Sequence, residues 1–100
     1  LLTREEIDGI LAGIRNAQMP WIADRKQRGE HIQKILSRRD TGELVLLAAC
    51  LRRRQTEKAL STADRETMRR VEGMIEQEFS LVLGLPVTEV GTYIHNRLSL

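Results

Sequence analysis

Ser61 and Gly84 bracket the stretch that most constrains this chain. Between them Met68, Val71, Met74, Ile75 and Phe79 recur at three- and four-residue spacing, the period that lines one face of an α-helix. Ser61 is a favoured N-cap residue, and Gly84 followed by Pro86 is a common way to stop a helix. A helix with one apolar face is held mainly by the tertiary packing that covers that face. The sequence must therefore supply other amphipathic helices around this one. Immediately upstream, Arg52, Arg53, Arg54 and Lys58 close a preceding apolar run before a short break at Ala59 and Leu60. The pattern predicts a helical hairpin with a cationic connection.

The remaining segments supply three further helices. Thr3 with Glu6 forms a capping-box pattern ahead of Ile7, Ile10, Leu11 and Ile14, predicting a first helix that ends near Asn16 or Ala17. Gly9 and Gly13 lie four apart on one side of it and predict a close helix crossing. Met19, Pro20 and Trp21 open the second helix in this reading, because proline is tolerated at a first helical position. Its apolar stripe is thin and its end falls at Arg38 and Arg39. Asp40 with Glu43 starts the third, where the run Leu44 to Leu51 is ambiguous between strand and helix by periodicity alone. The acidic start, the alanines and the cationic continuation decide for a helix. Thr88 is expected to cap a fifth helix with Val90, Ile94 and Leu98 inward. The expectation is an all-α, compact bundle of about five helices, one domain over residues 1–100, with a core drawn from Ile10, Ile14, Leu47, Leu51, Val71, Ile75, Phe79 and Ile94.

Length and charge narrow the function. One hundred residues suffice for one hydrophobic core. There is no initiating methionine, which reads as a fragment of a longer protein. No signal-peptide pattern opens it, and no apolar run approaches the roughly 20 residues of a membrane span. A cytoplasmic monomer with no membrane partner is expected. Cys50 is the only cysteine, so it cannot form an intramolecular disulfide and reads as a small core hydrophobe. The net charge of +2 conceals a segregation: residues 21–70 carry thirteen Lys and Arg against seven Asp and Glu, while both ends are acidic. A basic middle region points to a polyanionic partner.

Catalytic and metal chemistry find no support in the pattern. His31 and His95 are far apart and neither has a cysteine or histidine at ligand spacing. Glu72 with Glu76 reads as a solvated helical stripe, and no lysine followed by serine or threonine closes a glycine-rich loop. No enzyme activity and no cofactor are expected. What remains is a cationic helical surface, with Arg25, Lys26, Arg28, Arg53, Arg54 and Arg69 as candidate phosphate ligands. Trp21 carries two readings: an anchor of the second helix on the core, or an exposed wedge that presses on base steps in a minor groove.

The stretch RRRQTEKALSTAD from Arg52, continued by Met68, Ile75, Glu78, Leu83 and Gly84 at matching spacing, resembles the helical C-terminal domain of the CarD/CdnL family of bacterial transcription regulators. LTREEID near the start is similar to that family's connector helix, MPW with DRKQR to its Trp-and-Arg segment, and EQEFSLVLGLPVTEVGTYI to its closing helices. The resemblance spans nearly the whole chain. It implies double-stranded promoter DNA as partner, contacted at the upstream edge of the melted region, with a tryptophan holding the open complex. It also implies RNA polymerase as partner, through an N-terminal domain that this chain lacks. Aligned without gaps from Leu60 and Ser61, the family's tryptophan falls on Arg25, one turn after Trp21, and a family basic position falls on Ala49. The second reading is a helical protein-protein interaction module whose basic face binds an acidic partner, with Trp21 as its anchor.

Overall fold

The computed structural model describes residues 2–98, and over them the chain forms five α-helices and no strand. They are α1 (Arg4–Ile14), α2 (Arg25–Arg38), α3 (Thr41–Glu57), α4 (Thr62–Leu83) and α5 (Val87–Leu98). Each of the first four begins at a side chain that meets an orphan backbone N–H. Thr3 and Glu6 form a reciprocal capping box. Asp24, Asp40 and Ser61 each accept from the N–H three residues on. Such caps contribute about 1 kcal/mol each. The glycine stop also holds: Gly84 sits at φ 66° and its N–H donates to the Ser80 carbonyl at 3.0 Å, a left-handed cap that glycine adopts without steric cost.

The hairpin of α3 and α4 is antiparallel. Thr41 at the start of α3 donates to Glu78 late in α4, and Arg52 further along α3 donates to Glu72. α4 is the central helix, packed on α1, α3 and α5, whereas α2 rests against α3. One buried cluster draws on all five helices, with Phe79, Ile7, Leu11, Ile35, Leu51, Val45, Val71 and Val90 fully enclosed. The expected core residues Ile14, Leu47, Leu51, Val71, Ile75 and Phe79 are all buried. Ile10 and Ile94 are only partly so, because Ile7 and Leu11 on α1, and Val90 and Leu98 on α5, take the inward positions instead.

Four expectations about local structure are corrected. α2 starts at Arg25, not at Met19 to Trp21, because Asp24 offers a carboxylate to Gln27 N–H; Pro20 and Trp21 lie in the connection before it. Gly9 and Gly13 mark no close crossing, since a β-carbon added at either would meet nothing within 4 Å; both lie on the exposed face of α1. Thr88 does not cap α5. It lies in the first turn after Val87, and the Pro86 carbonyl accepts from Glu89 N–H at 2.9 Å. Cys50 is half-buried rather than in the core, because Leu44, Leu47 and Leu51 hold the inward face of α3. Among the described residues no helix is long and apolar enough to cross a membrane.

Candidate nucleic-acid interface

Residues 15–24 connect α1 to α2, and two arginines from elsewhere in the sequence or fold hold this connection in place. At its start Arg53 of α3 reaches back to the end of α1. Its Nη1 donates to the Ala17 carbonyl at 2.8 Å, and its Nη2 to Arg15 and Ile14 carbonyls at 3.1 and 3.4 Å. The last carbonyls of a helix have no intrahelical donor and carry partial negative charge, so a guanidinium there satisfies both deficits. At the other end Arg28 Nη1 donates to the Ile22 and Ala23 carbonyls at 2.8 and 3.2 Å. The same side chain donates Nε and Nη2 to the two oxygens of Asp64 at 3.3 and 3.1 Å. Asp64 is buried and also accepts from Ser61 Oγ at 3.0 Å. The start of α4 is thereby fastened to the start of α2.

Trp21 lies between these two fastenings. It is half-buried against the core cluster, and two guanidinium groups lie over its indole: Arg28 at 4.6 Å and Arg54 at 4.5 Å from the ring centroid. Contacts at this range are attractive through the ring quadrupole. Arg28 spends its donors on protein acceptors. Arg54 does not: among the described residues its guanidinium has neither a hydrogen bond nor an ion pair. The three consecutive arginines thus do three things. Arg52 joins Glu72 in a bidentate surface pair with a 2.7 Å contact, Arg53 caps α1, and Arg54 stacks on Trp21.

The other expected phosphate ligands are exposed. Arg25 and Lys26 occupy the first turn of α2, which contains no acidic residue. Cations there oppose the positive end of the helix dipole, with only the Asp24 cap in compensation. Arg25 and Arg28 also line a cleft of about 440 Å³ against Ser61, Asp64 and Thr67 at the start of α4. Arg69 is exposed further along α4 and does not line that cleft. The structure therefore brings Trp21, Arg28 and Arg54 together with Arg25 nearby. It engages Arg28 and Arg53 in internal hydrogen bonds, so these two are structural groups first.

Several features of the fold have no local signal in the sequence. Glu72 is the partner of Arg52 and not simply a solvated carboxylate. Asp64 reads in sequence as a first-turn acid, and only the fold shows Arg28 arriving from 36 residues away. Tyr93 of α5 donates to Asp8 of α1, and Arg97 joins them at 3.1 Å. The Tyr93 bond and the Arg97 charge hold the Asp8 carboxyl below the usual carboxylate range. The Tyr93 hydroxyl is raised by partial burial and by its bond to Asp8. Arg52 is likewise raised by Glu72.

A larger groove of about 1050 Å³, lined also by residues 15–18 of the connection and by Arg53, lies where α3 and α5 diverge over α4. Val45, Ala48 and Ala49 face Gly91 and Ile94 across it, with Arg52 and Glu72 near its rim. His31 is half-buried and His95 exposed. Among the described residues no three His, Cys, Asp or Glu side chains converge as a metal site. No family model matches this chain, and no curated protein matches it.

Proposed function

We propose that this chain is the DNA-binding domain of a CarD-like, RNA polymerase-associated transcription regulator that stabilises the open promoter complex. It does so through sequence-tolerant contacts to duplex phosphates and the minor groove. The observation that carries the reading is the set of cations that the fold does not use. Arg25 and Lys26 stand at a helix start where they cost electrostatic energy, and Arg54 lies over Trp21 without an acceptor among the described residues. A local rule broken with only the Asp24 cap to offset it is expected at a functional surface. The resemblance in sequence to the CarD/CdnL helical domain supplies the class of polyanion. Phosphate neutralisation releases counterions, so such binding tolerates any sequence and weakens steeply with salt.

Titration of a short duplex across a salt series tests this. The isolated chain is expected to bind with a Kd on the order of 10⁻⁴ to 10⁻⁶ M near physiological salt. Arg25→Ala and Arg69→Ala should each weaken binding about equally on unrelated sequences. Affinity that is insensitive to salt, or confined to one sequence, rejects the mechanism. The groove between α3 and α5 favours a second reading as a protein-interaction module; pull-down of an acidic partner that persists at salt concentrations abolishing duplex binding would support it.

A further inference from the structure

We infer that Trp21 is a positioning residue: it orients the Arg54 guanidinium toward a DNA phosphate and does not itself contact the bases. This rests on the DNA-binding reading above. The ring has two guanidinium groups over it, at 4.6 and 4.5 Å, so a base seeking its face has to displace one of them. Displacing Arg28 breaks its four hydrogen bonds to Ile22, Ala23 and Asp64. The Arg28 contact is therefore fixed within the fold, and a base could reach the ring only by displacing Arg54. Trp21 is itself held because both ends of its connection are tied, by Arg53 at Ala17 and by Arg28 at Ile22 and Ala23.

Arg54 is in the opposite situation. A guanidinium stacked on an aromatic uses its face and keeps its N–H donors in the plane, the geometry that suits a bidentate phosphate. Its side chain would otherwise lose considerable rotamer entropy on binding, and stacking removes part of that cost beforehand. Trp21, Arg28 and Asp64 thus form a chain of support ending at one cation with no acceptor of its own among the described residues. Arg52 and Arg53, its neighbours in sequence, are already engaged by Glu72 and by the end of α1.

The test uses the 100-residue chain and a short duplex at several salt concentrations. Trp21→Leu and Arg54→Ala are each expected to weaken binding roughly threefold to tenfold. Both should lower the log–log salt slope by about one phosphate's worth. The double variant should lose no more than either single one, since both remove the same contact. Trp21→Tyr, which retains an aromatic face, should restore most of the affinity, and Arg54→Lys, which keeps charge without the planar fork, should not. Trp21 is the only tryptophan, so its fluorescence provides a readout that needs no substitution at the ring. Saturating duplex should leave its emission near the free value, whereas stacking on bases would quench it. Deep quenching, additive losses in the double variant, or an unchanged salt slope in folded Trp21→Leu overturns the inference alone. Absence of duplex binding by the unsubstituted chain overturns the DNA reading and this inference with it. If Trp21→Leu unfolds, the fluorescence and the Arg54→Lys comparison still decide.

Discussion

Arg28 donates to both carboxylate oxygens of Asp64, at 3.3 and 3.1 Å, and both side chains are about nine-tenths buried. The pair joins the first turn of α2 to the first turn of α4. Its ends are fully provided for, because Arg28 also donates to the Ile22 and Ala23 carbonyls and Asp64 accepts from Ser61. A buried pair of this kind adds little over an apolar pair of equal volume, but losing one partner strands the other charge.

Asp64→Ala should accordingly cost roughly 3 to 5 kcal/mol in urea unfolding. Ser61→Ala, which removes only a cap and a hydroxyl, should cost about 1 kcal/mol. Equal losses in the two variants would show that the ion pair carries no special weight.

Arg53→Ala should loosen the end of α1 without unfolding the bundle. The Ala17 and Arg15 carbonyls lose this donor while Ile14 keeps the Ala17 N–H, at about 1 to 3 kcal/mol if water does not replace it fully. Amide exchange should accelerate at Ile14 and Arg15 more than in α4. Uniform acceleration across the helices would mean that Arg53 supports the whole core instead.

Leu47 is buried in α3 within the core cluster. Leu47→Ala should cost roughly 2 to 5 kcal/mol, the lost transfer energy plus the cavity left behind. Circular dichroism should remain helical in the folded variant. A loss within error of zero would remove Leu47 from the core.

The Asp8–Tyr93 bond predicts a pH window. Asp8 is depressed, chiefly by the Tyr93 bond, so its contribution is full above the ordinary aspartate pKa and falls as pH drops through the lower folded value. Tyr93 is raised, by burial first and then by Asp8. Its contribution is full below the ordinary tyrosine pKa of about 10 and is lost as pH rises through the folded value. The Tm difference between the unsubstituted chain and Tyr93→Phe should be flat near neutrality and shrink at both extremes. A difference that stays constant into acid would exclude this coupling.

The helices and most of their starts were legible in the sequence, because they depend on spacing and on side chains acting within one turn. Thr3, Asp40 and Ser61 cap where their sequence neighbours predict, Gly84 stops α4, and the apolar stripe from Met68 to Phe79 faces inward as its period requires. The start of α2 differs from the sequence expectation because two local signals compete there. Pro20 permits a helix, but Asp24 supplies the hydrogen bond that begins one.

What each cation does was decided only by tertiary structure. Arg52, Arg53 and Arg54 are indistinguishable as sequence, yet successive positions on a helix point about 100° apart and meet different surroundings. One faces Glu72, one the end of α1, and one the Trp21 ring. Local spacing determines which residues form helices and which face is apolar, since those energies are settled within a turn or two. Whether an arginine is a cap, half of a buried ion pair or an unoccupied cation depends on acceptors that the fold brings from 20 to 39 residues away.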